Sequence, residues 1–206
     1  MFESSAFTVL HAKNTRSYEH ISDMLTFSAL MIGGPRVLFL AEQKARFACR
    51  AANCDLIVPL KGFDVTLATG HLPEQITLFR EKKMPPPESG DMPGVKSINT
   101  RIQSAIFATF ASKANDWVKQ NVSTDFYNWP PVSGFARVVR NAIAHGGTIS
   151  LKDPKMVVSW SGVTFSADNY GEAALNSGKL SHGDLILLMI DLENELDDLG
   201  APFNLD

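Results

Sequence analysis

The stretch from Phe135 to Gly147 reads FARVVRNAIAHGG, and its pattern decides both the fold class and the place to look for chemistry. Set on a helical wheel at 100° per residue, Arg137, Arg140, Asn141, Ala144 and His145 share an arc of about 140°. Phe135, Ala136, Val138, Val139, Ala142 and Ile143 fill the other side. An amphipathic helix with one apolar face needs a core to sit on. Gly146-Gly147 supplies its stop, and Ser133 stands where an N-cap is expected.

Outward from this segment, helical patterns dominate. Ile98 to Val122 carries Ile98, Ile102, Ile106, Phe110, Trp117 and Val118 as an apolar stripe, and Ser181 to Leu199 carries Leu185, Ile186, Leu188, Met189, Leu192 and Leu196. Asp191, Glu195 and Asp198 oppose that last stripe. Near the N-terminus, Ser17 to Ile32 reads as a helix ended by Gly33-Gly34, and a second helix opens at Pro35 and runs to Cys49. The run Leu56-Ile57-Val58 fits a strand or a buried loop, and Pro73 to Lys83 fits a short helix. A Pro-rich loop spans about 84–94. A β-hairpin is expected near 148–165, with Lys152-Asp153-Pro154 between its strands. The expectation is one mainly α domain over residues 1–206: an antiparallel helical bundle with a small β-hairpin appended before the last helix.

Composition narrows the function classes. The 206 residues are 45% hydrophobic and 20% charged, the balance of a globular domain with a full core. The longest apolar run, Met24 to Pro35, is about half of what a membrane span needs. The first residues, MFESSAFTVLHAKN, place an acid and polar groups where a secretory leader needs a basic cluster and an apolar core, so the cytoplasm is the expected compartment. Cys49 and Cys54 have no neighbouring histidine to complete a zinc set and read as reduced core thiols. Net charge is −3, so contact with nucleic acid has to come from a local patch. Arg80-Lys82-Lys83 and the pair Arg137 and Arg140 are such patches. Arg16 and His20 form a second basic pair, read as surface, and the three tryptophans, Trp117, Trp129 and Trp160, read as core or interface anchors.

The polar face of the 135–147 helix carries the residue types needed to cut RNA without a metal or another cofactor. A base takes the proton of the ribose 2′-OH, a cation neutralises the pentavalent phosphorane, and an acid protonates the leaving 5′ oxygen. Arginine forks suit phosphate oxygens, Asn141 can orient a neighbour, and His145 sits at the helix end whose negative dipole favours a cation. One helix offers a single histidine, so two copies facing across a two-fold axis are the economical way to complete a site. Arg137 either meets substrate phosphate or pairs with the acidic last helix.

Arg140-Asn141-Ala142-Ile143-Ala144-His145 resembles the signature of HEPN proteins, in which an arginine, an adjacent polar residue and a histidine four to six positions on end a helix. The resemblance covers about thirteen residues. It implies a small helical bundle acting as a dimeric, metal-independent endoribonuclease of a toxin or defence system, with Arg140, Asn141 and His145 catalytic; Arg137 lies outside the motif and is placed at the substrate by its position on the same helix face one turn from Arg140. The alternative is a non-catalytic HEPN-like dimer that holds nucleotide, RNA or a partner protein. It also implies an antitoxin or nucleotidyltransferase partner, although the tyrosine that one toxin branch carries two positions after the histidine is Gly147 here.

Overall fold

The computed structural model describes residues 7–33, 44–59, 73–83, 93–175 and 178–205. Strand β1 (Phe7–His11) precedes helix α1 (Tyr18–Gly33), and strands β2 (Lys44–Cys49), β3 (Cys54–Pro59) and β4 (Gln75–Lys82) follow. Helix α2 (Pro93–Asn121) then leads through a short 3-10 turn, Phe126–Asn128, into α3 (Pro131–Ala144). Strands β5 (Val158–Trp160) and β6 (Val163–Phe165) come before the last helix, α4 (His182–Asp198).

The mainly helical bundle is overturned by a four-stranded antiparallel sheet in the order β1-β4-β3-β2. The fold is mixed α and β. Residues 44–49, expected to finish a helix from Pro35, are instead β2, and 35–43 lie outside the described residues. The reason is a period of two: Ala45, Phe47 and Cys49 are buried while Arg46 and Ala48 point the other way. Pro73 to Lys83 is likewise a strand and not a helix, with Ile76 and Leu78 on the buried face of β4. In β3 the run Leu56-Ile57-Val58 is buried throughout, as an inner strand between β2 and β4 should be. Most of the expected Pro-rich loop, 84–92, lies outside the described residues.

The helices carry the other half of the core. Helix α1 buries Tyr18, Ile21, Met24 and Leu25. Helix α2 packs against α1, α3 and α4, but its buried stripe is Phe107, Phe110, Ala111, Ala114 and Val118, and Ile98 is left exposed. Helix α4 is the innermost element: Leu185 through Ile190 are buried without a break. Its N-terminus docks on the end of the edge strand β2, where the buried Asp184 carboxylate accepts from the backbone N–H groups of Arg50, Ala51 and Ala52 at 2.8–3.3 Å. The hairpin of β5 and β6 turns at Ser161-Gly162, whose φ values of 47° and 77° suit a tight two-residue turn. Thr148 bridges to Ala173, and Lys152-Asp153-Pro154 is not the hairpin's turn. Phe135 of α3 packs on Trp160 and Phe165 of that hairpin, with ring centroids 5.7 and 5.3 Å away. No helix among the described residues is long and apolar enough to cross a membrane.

Candidate functional site

Helix α3 forms where the sequence places it, with its apolar face of Phe135, Ala136, Val138, Val139 and Ala142 buried. Its start differs from the expectation. Pro130 is the N-cap, and Ser133 lies inside the first turn, where its hydroxyl donates to Glu195 of α4. At the other end His145 is the C-cap, its N–H bonding the carbonyls of Asn141 and Ala142, and Gly146 and Gly147 follow at φ 80° and 89°.

The polar face of α3 looks across to α2, and the two enclose a cleft of about 380 Å³. Arg137, Arg140 and Asn141 line one wall, while Ser112, Asn115, Asp116 and Lys119 line the other. Those four α2 residues recur at intervals of three and four, so they share one helix face. Phe126 and Trp129, from the connection between α2 and α3, close one end.

Arg140 is held from two sides. Its Nε donates to Ser112 Oγ at 2.9 Å, and its Nη1 donates to Asn141 Oδ1 at 3.2 Å. The Ser112 hydroxyl in turn donates to Ala108 O at 2.7 Å, which fixes its lone pairs toward the arginine. Arg137 takes a different support: its Cζ lies 4.3 Å from the centre of the Phe126 ring and 5.7 Å from that of Trp129. Burial, and next to it the like charge of Arg140, lower the Arg137 pKa from its ordinary value. Neither arginine, nor Lys119, has a carboxylate at ion-pair distance among the described residues. Among the described residues Asp116 is the one carboxylate of the cleft wall. Asn115 is 9% exposed, and its buried Oδ1 meets no hydrogen-bond partner among the described residues.

The salt bridge considered between Arg137 and the last helix does not form, and four acids of α4 are engaged elsewhere. Glu193 and Asp197 bind Arg16 at 2.8 and 2.5 Å, Asp191 accepts from Trp160 Nε1 at 2.9 Å, and Glu195 caps α3. Arg16 is thereby a structural tie, not half of a second site with His20.

His145 is separated from the other site residues. It is exposed and is not among the residues lining the cleft. Five residues beyond Arg140, it lies about 7.5 Å further along the helix axis. Its sequence neighbours Ile143, Gly146 and Gly147 face a second cleft of about 520 Å³, shared with Thr100, Arg101 and Ser104 of α2. A single chain therefore assembles the cationic half of the expected constellation and leaves its histidine outside that cleft.

Cys49 and Cys54 are free and stand directly opposite one another across β2 and β3, and burial pushes the Cys49 thiol up from its ordinary pKa. Among the described residues no group of three His, Cys, Asp or Glu is placed to hold a metal ion. No known family model, curated protein or solved structure matches the chain.

Proposed function

We propose that the protein is a metal-independent endoribonuclease, HEPN-like in its site chemistry, that works as a homodimer. The observation that carries this reading is the pair Arg137 and Arg140, both turned to one cleft and neither with a carboxylate at ion-pair distance among the described residues. Arg140 rests on hydrogen bonds to neutral groups and Arg137 on aromatic rings, so the like charges still repel, and the phosphate of a phosphodiester would relieve that repulsion. Arg140, braced by Ser112 and Asn141, stabilises the charge that builds on phosphorus. The ribose 2′ oxygen forms the new bond to phosphorus while the bond to the 5′ oxygen breaks, leaving a cyclic phosphate and a free 5′-OH. His145 moves the proton. Because it stands outside the cleft of its own chain, the His145 of a second copy is the one that reaches the phosphate. A role as a toxin or defence effector in the cytoplasm, with an antitoxin or nucleotidyltransferase as partner, is proposed on the HEPN resemblance alone.

The test is RNA incubated with purified protein in EDTA. Cleavage products ending in cyclic phosphate are expected, with loss of cleavage in His145→Ala at unchanged folding. Full activity of that variant would remove the reading.

The position of His145 favours a second reading, in which the cleft binds RNA or a nucleotide and cuts nothing. Retention of RNA by wild-type protein without products, and its loss in Arg140→Ala, identifies that case.

A further inference from the structure

The connection from α2 to α3 is more than a linker. Asp125 caps its 3-10 turn by accepting from Tyr127 N at 3.1 Å, and Trp129 Nε1 donates to Ser123 O at 2.8 Å. These bonds make residues 123–129 a rib with fixed ring positions. Phe126 and Tyr127 stack with centroids 4.7 Å apart at 28°, and the Tyr127 hydroxyl is tied to Asp153. Yet Tyr127 is 48% exposed, an aromatic face held rigid in solvent.

This rib separates two clefts. Phe126 and Trp129 line the cationic cleft described above and also a neighbouring one of about 370 Å³, which Tyr127, Lys155 and Val157 help to line. The arrangement thus alternates charge and ring: Arg140 and Arg137, then the aromatic rib, then Lys155. Alternating cations and π faces match a nucleic acid strand whose bases are free to stack on protein. A base inside a duplex has both faces covered by its neighbours and offers none to a protein ring.

Resting on the RNA reading proposed above, we infer that the Phe126–Trp129 rib is a base-stacking partition that selects unpaired RNA. One nucleotide lays its base on the exposed face of Tyr127 with its phosphate toward Lys155, and the next places its phosphate toward Arg140 in the cationic cleft, where Arg137 already covers the Phe126 ring. Tyr127 is a substrate-positioning residue that touches a base and takes no part in proton transfer.

Full-length His145→Ala protein, in which cleavage does not consume the probe, is titrated against a fluorescent RNA oligonucleotide, single-stranded or annealed to its complement. Single strands are expected to bind at least about tenfold more tightly than the duplex. Adding Tyr127→Ala should weaken single-strand binding about tenfold, the loss of one stacked base, and leave its salt dependence unchanged because the phosphate contacts remain. Tyr127→Phe keeps the ring, loses the bond to Asp153 and should bind like the parent. Equal binding of both RNA forms, or single-strand binding unaffected by Tyr127→Ala, overturns the partition and leaves the ribonuclease reading standing. Absence of RNA binding by wild-type protein overturns both.

Discussion

Glu195, near the end of α4, closes the start of α3 through Ser133. Its Oε2 accepts from Ser133 N at 2.7 Å and from Ser133 Oγ at 2.5 Å, while Oε1 accepts from Val132 N at 2.9 Å. One carboxylate from the most buried helix thus satisfies the first free N–H groups of the helix that carries Arg137 and Arg140. The site helix is anchored to the core at the end remote from His145.

Removing that carboxylate leaves these backbone donors without a partner inside a half-buried contact. Glu195→Ala is expected to lower stability by about 2 kcal/mol, the upper range for the loss of a helix cap. Ser133→Ala, which keeps both backbone bonds, should cost less than half of that. Urea denaturation of the three proteins measures it, and equal stability of Glu195→Ala and wild type would refute the role given to the cap.

Gly183, in the first turn of α4, marks how closely that helix docks on β2. A Cβ at this position would lie 2.7 Å from Cys49 Sγ and 2.8 Å from Ala48 O. Alanine is the better helix former, which taken alone predicts a small gain. The clash with a backbone carbonyl outweighs it, and Gly183→Ala should destabilise by about 1–3 kcal/mol. Adding Cys49→Ala relieves the contact with sulfur but not the one with the carbonyl, so a double-mutant cycle should show partial coupling between the two changes. A rise in melting temperature for Gly183→Ala would show that the helix can back away from the strand.

These contacts show what the sequence could and could not disclose. The four described helices are legible because each is long enough for its 3.6-residue period to stand out, and Gly33 and Gly146 mark two of their ends. The sheet is not. Six residues from Lys44 to Cys49 contain too few periods to separate alternation from a helical face, and the alanines among them favour helix locally. What decides is pairing with β3, a tertiary effect. In the site, Arg137, Arg140 and Asn141 are legible from the wheel, as is their common face. The wheel gives direction around an axis and not height along it, so it cannot show that His145 clears the cleft. Ser112, Asn115, Asp116 and Lys119 also share a face in the sequence, but attention to the apolar stripe of α2 hides its polar one.

His20 supplies a test of pH linkage. It lies beside the Phe110 ring at 5.5 Å between centroids, and its Nδ1 is buried without a hydrogen-bond partner among the described residues. Burial lowers its pKa, Lys113 adds to this, and Asp23 and Glu19 oppose it. The folded chain therefore holds this proton more weakly than the unfolded chain does. The stability in place above the ordinary imidazole value of 6.5 is lost as pH falls from there toward the lower folded value. Asp23, raised by burial, acts in the opposite sense but in the carboxylate range. Between about pH 7.5 and about pH 5.5, wild-type protein should lose stability and His20→Gln should lose less. Parallel urea curves at the two pH values, identical for both proteins, would exclude this linkage.

The proposed division of the active site between two chains predicts rescue of one dead variant by another. Arg140→Ala protein retains His145, and His145→Ala protein retains Arg140 with its Ser112 and Asn141 braces. If Arg140 of one copy works with His145 of the other, a mixed dimer holds one complete site and one site lacking both groups. Random exchange makes half of the dimers mixed, so mixing equal amounts should restore about a quarter of wild-type cleavage, from a background near zero. A site contained within one chain allows no such rescue, since every chain in the mixture then lacks one of its own two groups. Cleavage assays before and after subunit exchange, with exchange followed by mass spectrometry of tagged chains, decide between the two. Mixed dimers without activity would place the reacting groups in a single chain, or remove His145 from the chemistry altogether.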